Sequence, residues 1–119
     1  MNNTAPDIEE FYTREFSVYN PPGSVGVSCN GRGLVSAVML DQDALELGPV
    51  ELGQELVMLG RLARAKYRVA LRLFTLAAAE AEGRNVERAD RMCRRVQKLP
   101  TPEEYADMES ARFADRYPA

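Results

Sequence analysis

Hydrophobic and polar positions alternate with a period of two in the first third of the chain and take up helical spacing after it. Residues 15–20 set Phe16 and Val18 against Ser17 and Tyr19, the alternation of a half-buried strand. Asn20-Pro21-Pro22-Gly23 then turns the chain. Residues 24–29 alternate again, with Val25, Val27 and Cys29 on one face and Ser24, Gly26 and Ser28 on the other. Asn30-Gly31 is a favoured pair for a tight hairpin turn, since both residues tolerate positive φ, and Gly33 can supply a bulge just after it. A third strand follows over 34–40. Such short connections make an antiparallel meander, one face of which needs a cover.

The cover comes from the next segment. Pro49 suits the first position of a helix and Glu51 its positive end, and nothing breaks the pattern before Glu82. Gly53 and Gly60 are weak interruptions, and Gly83 is placed to cap a helix of roughly 30 residues. Asn85 caps a second helix over 86–98, stopped by Leu99-Pro100. Thr101-Pro102-Glu103-Glu104 has capping-box spacing and starts a third helix running to about Arg116. The predicted fold is α+β, a three-stranded antiparallel β-meander packed on one long α-helix, followed by two shorter C-terminal helices. Residues 1–14 form a short N-terminal arm and 15–119 a single domain.

At 100° per residue, Leu52, Leu56, Leu59, Ala63, Tyr67, Ala70, Phe74 and Ala77 fall into one stripe that can lie on the sheet. Met58, Leu62, Ala65, Val69, Leu73 and Leu76 make a second stripe roughly 115° away. A helix of roughly 30 residues is about 45 Å long and a seven-residue strand about 23 Å, so much of the helix overhangs the sheet. The second stripe is open to three covers: the C-terminal helices, another copy of the chain, or a different protein. These stripes lack a strict 3.5-residue repeat, which favours a packed α+β dimer over a coiled coil.

Composition narrows the chemistry. The 119 residues are 45% hydrophobic and 28% charged, as expected of a folded domain. There is no histidine, which removes the usual acid/base side chain near neutral pH and the commonest metal ligand. Cys29 and Cys93 stand far apart and read as free, buried thiols. No phosphate loop or paired-carboxylate motif stands out, so neither catalytic residues nor a cofactor is expected. No run approaches the ~20 apolar residues of a membrane span, and the polar, acidic first ten residues do not read as a signal peptide. The expected compartment is the cytoplasm.

Charge is unevenly spread. Residues 61–98 carry eleven basic side chains against four acidic ones, whereas the rest carries four against fourteen. Arg61, Arg64, Arg68 and Arg72 fall within about 80° on the long helix and form a basic ridge. Such a ridge can grip phosphates, pair with carboxylates of a partner, or be balanced by the acidic ends of the chain itself. Met58, Leu62, Val69 and Leu73 beside it are the candidate apolar contacts.

Several tracts resemble the mycobacterial EspH family of type VII (ESX-1) secretion-associated proteins. They are residues 16–28 (Phe-Ser-Val-Tyr-Asn-Pro-Pro-Gly-Ser-Val-Gly-Val-Ser), Leu62-Ala63-Arg64-Ala65-Lys66, Leu99-Pro100-Thr101-Pro102-Glu103-Glu104, and Phe113-Ala114-Asp115-Arg116-Tyr117. The resemblance implies a cytosolic accessory or chaperone-like protein that binds secreted type VII substrates or a secretion component, and it supplies no catalytic residues. Family members carry a long acidic extension ahead of the first strand, and its role is not carried over to this chain. The order of strands, Asn-Gly-x-Gly turn and long helix over 24–82 also resembles, more distantly, the YbaB/EbfC nucleoid-associated family. That alternative implies a homodimer that binds nucleic acid.

Overall fold

The structure is a computed structural model that describes residues 5–118. The first four residues of the expected arm lie outside the described residues. In chain order the elements are α1 (Ile8–Tyr12), β1 (Glu15–Tyr19), β2 (Val25–Asn30), β3 (Val35–Leu40), a 3-10 turn (Gln42–Leu47), α2 (Gly48–Ala81), α3 (Val86–Arg95) and α4 (Pro102–Arg116). The strands form one antiparallel sheet in the order β1-β2-β3. This is the expected α+β arrangement of a meander, one long helix and two shorter ones.

Register explains which strand residues face the helix. Phe16 lies opposite Cys29 and Val18 opposite Val27, and all four are buried against α2. The other face pairs Ser17 with Ser28, whose hydroxyls are 2.6 Å apart, and lays the Tyr19 ring over Gly26. The small residue at 26 is therefore what lets Tyr19 lie flat on the sheet. From α2, Leu59, Leu62, Ala63 and Ala70 complete the core, with Leu52, Leu56, Tyr67 and Phe74 at its margin. The first apolar stripe thus covers the sheet, and Leu62 of the second stripe turns inward with it.

Three features depart from the sequence expectation. The arm contains α1, whose Phe11 is 2% exposed and stacks against Phe74 with ring centroids 4.9 Å apart. Asp7 caps this turn by accepting from the Glu9 amide at 2.9 Å. In the β2–β3 hairpin neither Asn30 nor Gly31 has positive φ; Gly33 does, at 80°. The Asn30 carbonyl accepts from the Gly33 amide at 2.9 Å, giving a longer turn closed by a left-handed glycine. Gly31 is needed for another reason, since a Cβ there would run into the Phe11 carbonyl oxygen of α1. Finally, α3 stops at Arg95 rather than 98. Lys98 takes φ 56°, and the chain swings so that Leu99 enters the interior at 2% exposure.

The helix sets the shape. At ~1.5 Å per residue its 34 residues span about 51 Å, close to the 53 Å long axis of the molecule, whose other extents are 25 and 24 Å. The sheet covers one side of α2, and α3 and α4 pack against it elsewhere.

Candidate functional site

Three polar clusters fix the helices around α2. In the first, Glu55 of α2 is fully buried, although it stands among the apolar stripe residues Leu52, Leu56 and Leu59. Its carboxylate accepts from Asn20 Nδ2 at 2.7 Å, from the Tyr117 hydroxyl and from Arg116 Nε. Asn20 Oδ1 in turn accepts from the amides of Ser24 (2.8 Å) and Val25 (3.1 Å), so one side chain both shapes the β1–β2 turn and reaches the buried carboxylate. Burial alone would raise the Glu55 pKa, but hydrogen bonds from Tyr117, Asn20 and Arg116 outweigh it and hold the group below its ordinary value.

In the second cluster, Arg94 grips Glu104 with two hydrogen bonds of 2.6 and 2.7 Å and also donates to the Leu99 carbonyl at 2.6 Å. Glu104 completes the expected capping box with Thr101, and the Arg94 guanidinium beside it lowers its pKa to about 2. In the third, Arg72 pairs with Asp90 of α3 at 2.8 and 3.0 Å, which depresses the Asp90 pKa. Much of what the EspH-like tracts contribute is thereby accounted for: Asn20, Ser24, Arg116 and Tyr117 meet in the first cluster, and Leu99, Thr101 and Glu104 in the second.

One accessible feature is a groove of about 710 Å³ between the N-terminal half of α2 and the middle of α4. Val50, Val57 and Met58 from α2 and Met108 from α4 supply apolar surface, and Arg61 and Arg112 stand at its rim. Gly53 lies along the groove and opens it, because nothing stands within 4 Å of where its Cβ would be. Among the described residues Arg61 and Arg112 make no ion pair or side-chain hydrogen bond, so both guanidiniums are free to meet an anion. The methionines on such a surface can repack around different apolar groups, whereas the β-branched valines are stiff.

The candidate residues read from sequence divide between these settings. Met58 and Arg61 line the groove, and Leu62 belongs to the core beneath it. Val69 is half-buried, and Leu73, further along α2, is 49% exposed. The ridge does not act as one surface. Arg61 and Arg64 are exposed, whereas Arg68 donates to the Gln97 and Lys98 carbonyls (2.6 and 3.2 Å) and Arg72 to Asp90. Arg68 holds the irregular segment after α3 and Arg72 the middle of α3, a use a helical wheel cannot distinguish from partner binding. Met108 and Arg112 were missed, since only tertiary packing sets them opposite α2. Their own signal was only the i, i+4 spacing that sets Met108 and Arg112 on one face of α4.

Among the described residues no cluster of His, Cys, Asp or Glu is arranged to hold a metal ion, and no helix is long and apolar enough to cross a membrane. Both cysteines are free and buried, and burial raises both thiol pKa values.

Fold and groove together define a small α+β protein organised around one long helix, with an apolar, arginine-rimmed groove between α2 and α4. In sequence the chain is similar to the ESX-1 secretion-associated protein EspH of Mycobacterium tuberculosis (strain ATCC 25618 / H37Rv), with 35% identity over 108 residues that cover 86% of this chain and 58% of EspH. The chain thus spans less than two thirds of that relative's length. No family model matches it, and no solved structure matches it. The more distant resemblance to YbaB/EbfC gains no support from these comparisons.

Proposed function

We propose that this chain is a non-enzymatic, chaperone-like protein of a type VII (ESX-1) secretion system, acting in the cytosol by holding an amphipathic segment of a secreted substrate or secretion component. The observation that carries this reading is the groove between α2 and α4, in which Val50, Val57, Met58 and Met108 lie beside the unpaired Arg61 and Arg112. An amphipathic helix presents an apolar face at i, i+3 and i+4, which suits a groove of this kind. Acidic residues flanking that face would meet the two arginines, adding selectivity and speed of encounter more than affinity. Similarity to EspH, itself named as secretion-associated, supports the system to which the partner is assigned.

Met58 and Arg61 are the contacts retained from the sequence reading, and Met108 and Arg112 join them. Arg64 and Leu73 are exposed and can extend the contact along α2. Arg68 and Arg72 act through the position of α3.

The test is capture from the native cytosol with tagged wild type and an Arg61→Glu/Arg112→Glu variant, each with and without nuclease, with bound proteins identified by mass spectrometry. Recovery of a type VII substrate or component that survives nuclease, and that the double variant loses while keeping its thermal midpoint, supports the reading. Recovery of nucleic acid and nucleoid proteins alone, abolished by nuclease, overturns it.

A further inference from the structure

β3 is one of the two outer strands of the sheet, and unlike β1 it has all six of its residues exposed. Val38 lies opposite Val27 and Leu40 opposite Val25. The inner valines are almost wholly buried, yet Val38 and Leu40 on the same face are 51% and 43% exposed, so the cover provided by α2 ends one strand short. On the opposite face Met39 is also exposed. Residues 34–40 contain no charge and no proline. Outer strands of monomeric proteins are commonly blunted by lysine, proline or a covering element, because their free amides and carbonyls otherwise template further pairing. Here the irregularity is the extra residue Ser36, where the register shifts from Ala37 to Val35; the stretch from Ala37 to Leu40 stays regular.

The surface of the whole chain points the same way. It exposes 7836 Å², against about 6,450 Å² for a compact protein of its 13.3 kDa. Its radius of gyration is 16.7 Å, against about 13.5 Å for a compact chain of this length. The surplus of about 1,400 Å², which the length of α2 shares with the bare edge of β3, is large enough to hold the roughly 800 Å² that each partner contributes to an ordinary stable interface.

We infer that the occupant of this edge is a second copy of the chain, paired antiparallel along β3 about a twofold axis at Val38 to give one continuous six-stranded sheet. An axis perpendicular to the sheet preserves its two faces, so Val38 meets Val38 on the α2 side and Met39 meets Ala37 of the other copy on the opposite side, apolar surface meeting apolar or small. Residues 37–39 carry no charge to oppose across the axis, and beside them the Glu15 carboxylate accepts from Ser36 at 3.1 Å, whereas an acidic client would find no cation on β3 to recognise. This inference is independent of the groove reading. Its residues lie on the sheet edge, and the groove lies between α2 and α4.

The experiment is sedimentation equilibrium on the full chain and on Val38→Lys and Val38→Glu, alone and as an equimolar mixture. Wild type is expected at twice 13.3 kDa, and each variant alone at the single-chain mass with an unchanged far-ultraviolet spectrum. The mixture is expected to recover the doubled mass, because Lys and Glu then face each other across the axis, a rescue that a folding defect would not produce. A single-chain mass for wild type up to millimolar concentration overturns the inference, as do variants that dimerise like wild type or a mixture of folded variants that stays monomeric. A wild type that is monomeric alone but bound one-to-one by another protein through Val38 also overturns it, assigning the edge to that protein. Arg61→Glu/Arg112→Glu should leave the doubled mass intact, which separates failure here from failure of the groove reading.

Discussion

Asn20, in the turn between β1 and β2, and Glu55, in the first half of α2, meet through a 2.7 Å hydrogen bond inside the protein. The carboxylate also receives Arg116 and Tyr117 from the end of α4, so a single buried acid joins the turn, the long helix and the last helix. A buried charge is tolerated when its attraction to a partner and its hydrogen bonds offset the loss of water.

Glu55→Gln should cost about 2 kcal/mol, read as a lower urea midpoint with an unchanged slope. Breaking a buried ion pair typically costs more, about 3–5 kcal/mol. Arg116, however, keeps 24% of its side chain exposed and retains Glu51 at 3.1 Å. A loss below about 0.5 kcal/mol would mean the cluster is solvated in solution and does not hold α4.

Acid should weaken the fold through these carboxylates. Glu55 and Glu104 both titrate below their ordinary value when folded, Glu104 at about 2 against 4.5. As pH falls, the unfolded chain takes up these protons first, so their contribution is complete above about 4.5, declines below it, and is gone once pH passes the folded values. Urea midpoints at about pH 6 and about pH 3 should therefore differ, and Glu104→Gln should narrow the difference. An unaltered difference in that variant would show that the Arg94 pair is not formed.

Gly31→Ala should undock α1. The added methyl would meet the Phe11 carbonyl and lie 2.7 Å from the Tyr12 Cα, both backbone atoms with no room to give. Loss of Phe11 from the core sets an upper bound of about 5 kcal/mol, with new protease cleavage between residues 5 and 14. Wild-type protease resistance in this variant would place α1 elsewhere.

Cys29 and Cys93 should both react slowly with a disulfide reagent in the native protein and promptly in denaturant. Cys29 donates its thiol hydrogen to the Ala63 carbonyl at 3.3 Å, and burial keeps both sulfurs protonated. Rapid native labelling of Cys93 would indicate that α3 opens readily from α2.

Much of this architecture was legible in the chain because it depends on local periodicity and local capping. The alternation around Phe16 and Val27, the span from Pro49 to Glu82 and the Thr101–Glu104 box each specify an element from neighbouring residues alone. Phe11 escaped, since one aromatic in a polar stretch has no period and its burial depends on Gly31 and Phe74. Glu55 escaped because a carboxylate scores as a surface residue, although its position among Leu52, Leu56 and Leu59 was the clue that it lies inward. The groove was half legible: α2 advertised Met58 and Arg61, but their partners on α4 are about fifty residues away. Arg68 and Arg72 show the converse ambiguity, for a row of cations on a helix looks the same whether it awaits a partner or holds a neighbouring loop.

Both sheet turns are clamped from outside the sheet, the β2–β3 turn by α1 at Gly31 and the β1–β2 turn by Arg116 and Tyr117 acting through Glu55 and Asn20. The meander itself closes over short distances in sequence and can form quickly, but one of its clamps closes a loop of 97 residues between Asn20 and Tyr117. Assembly should accordingly run in two kinetic stages, an early sheet-on-helix species followed by a slower locking step. On the ribosome that second step has to wait until Tyr117 has emerged.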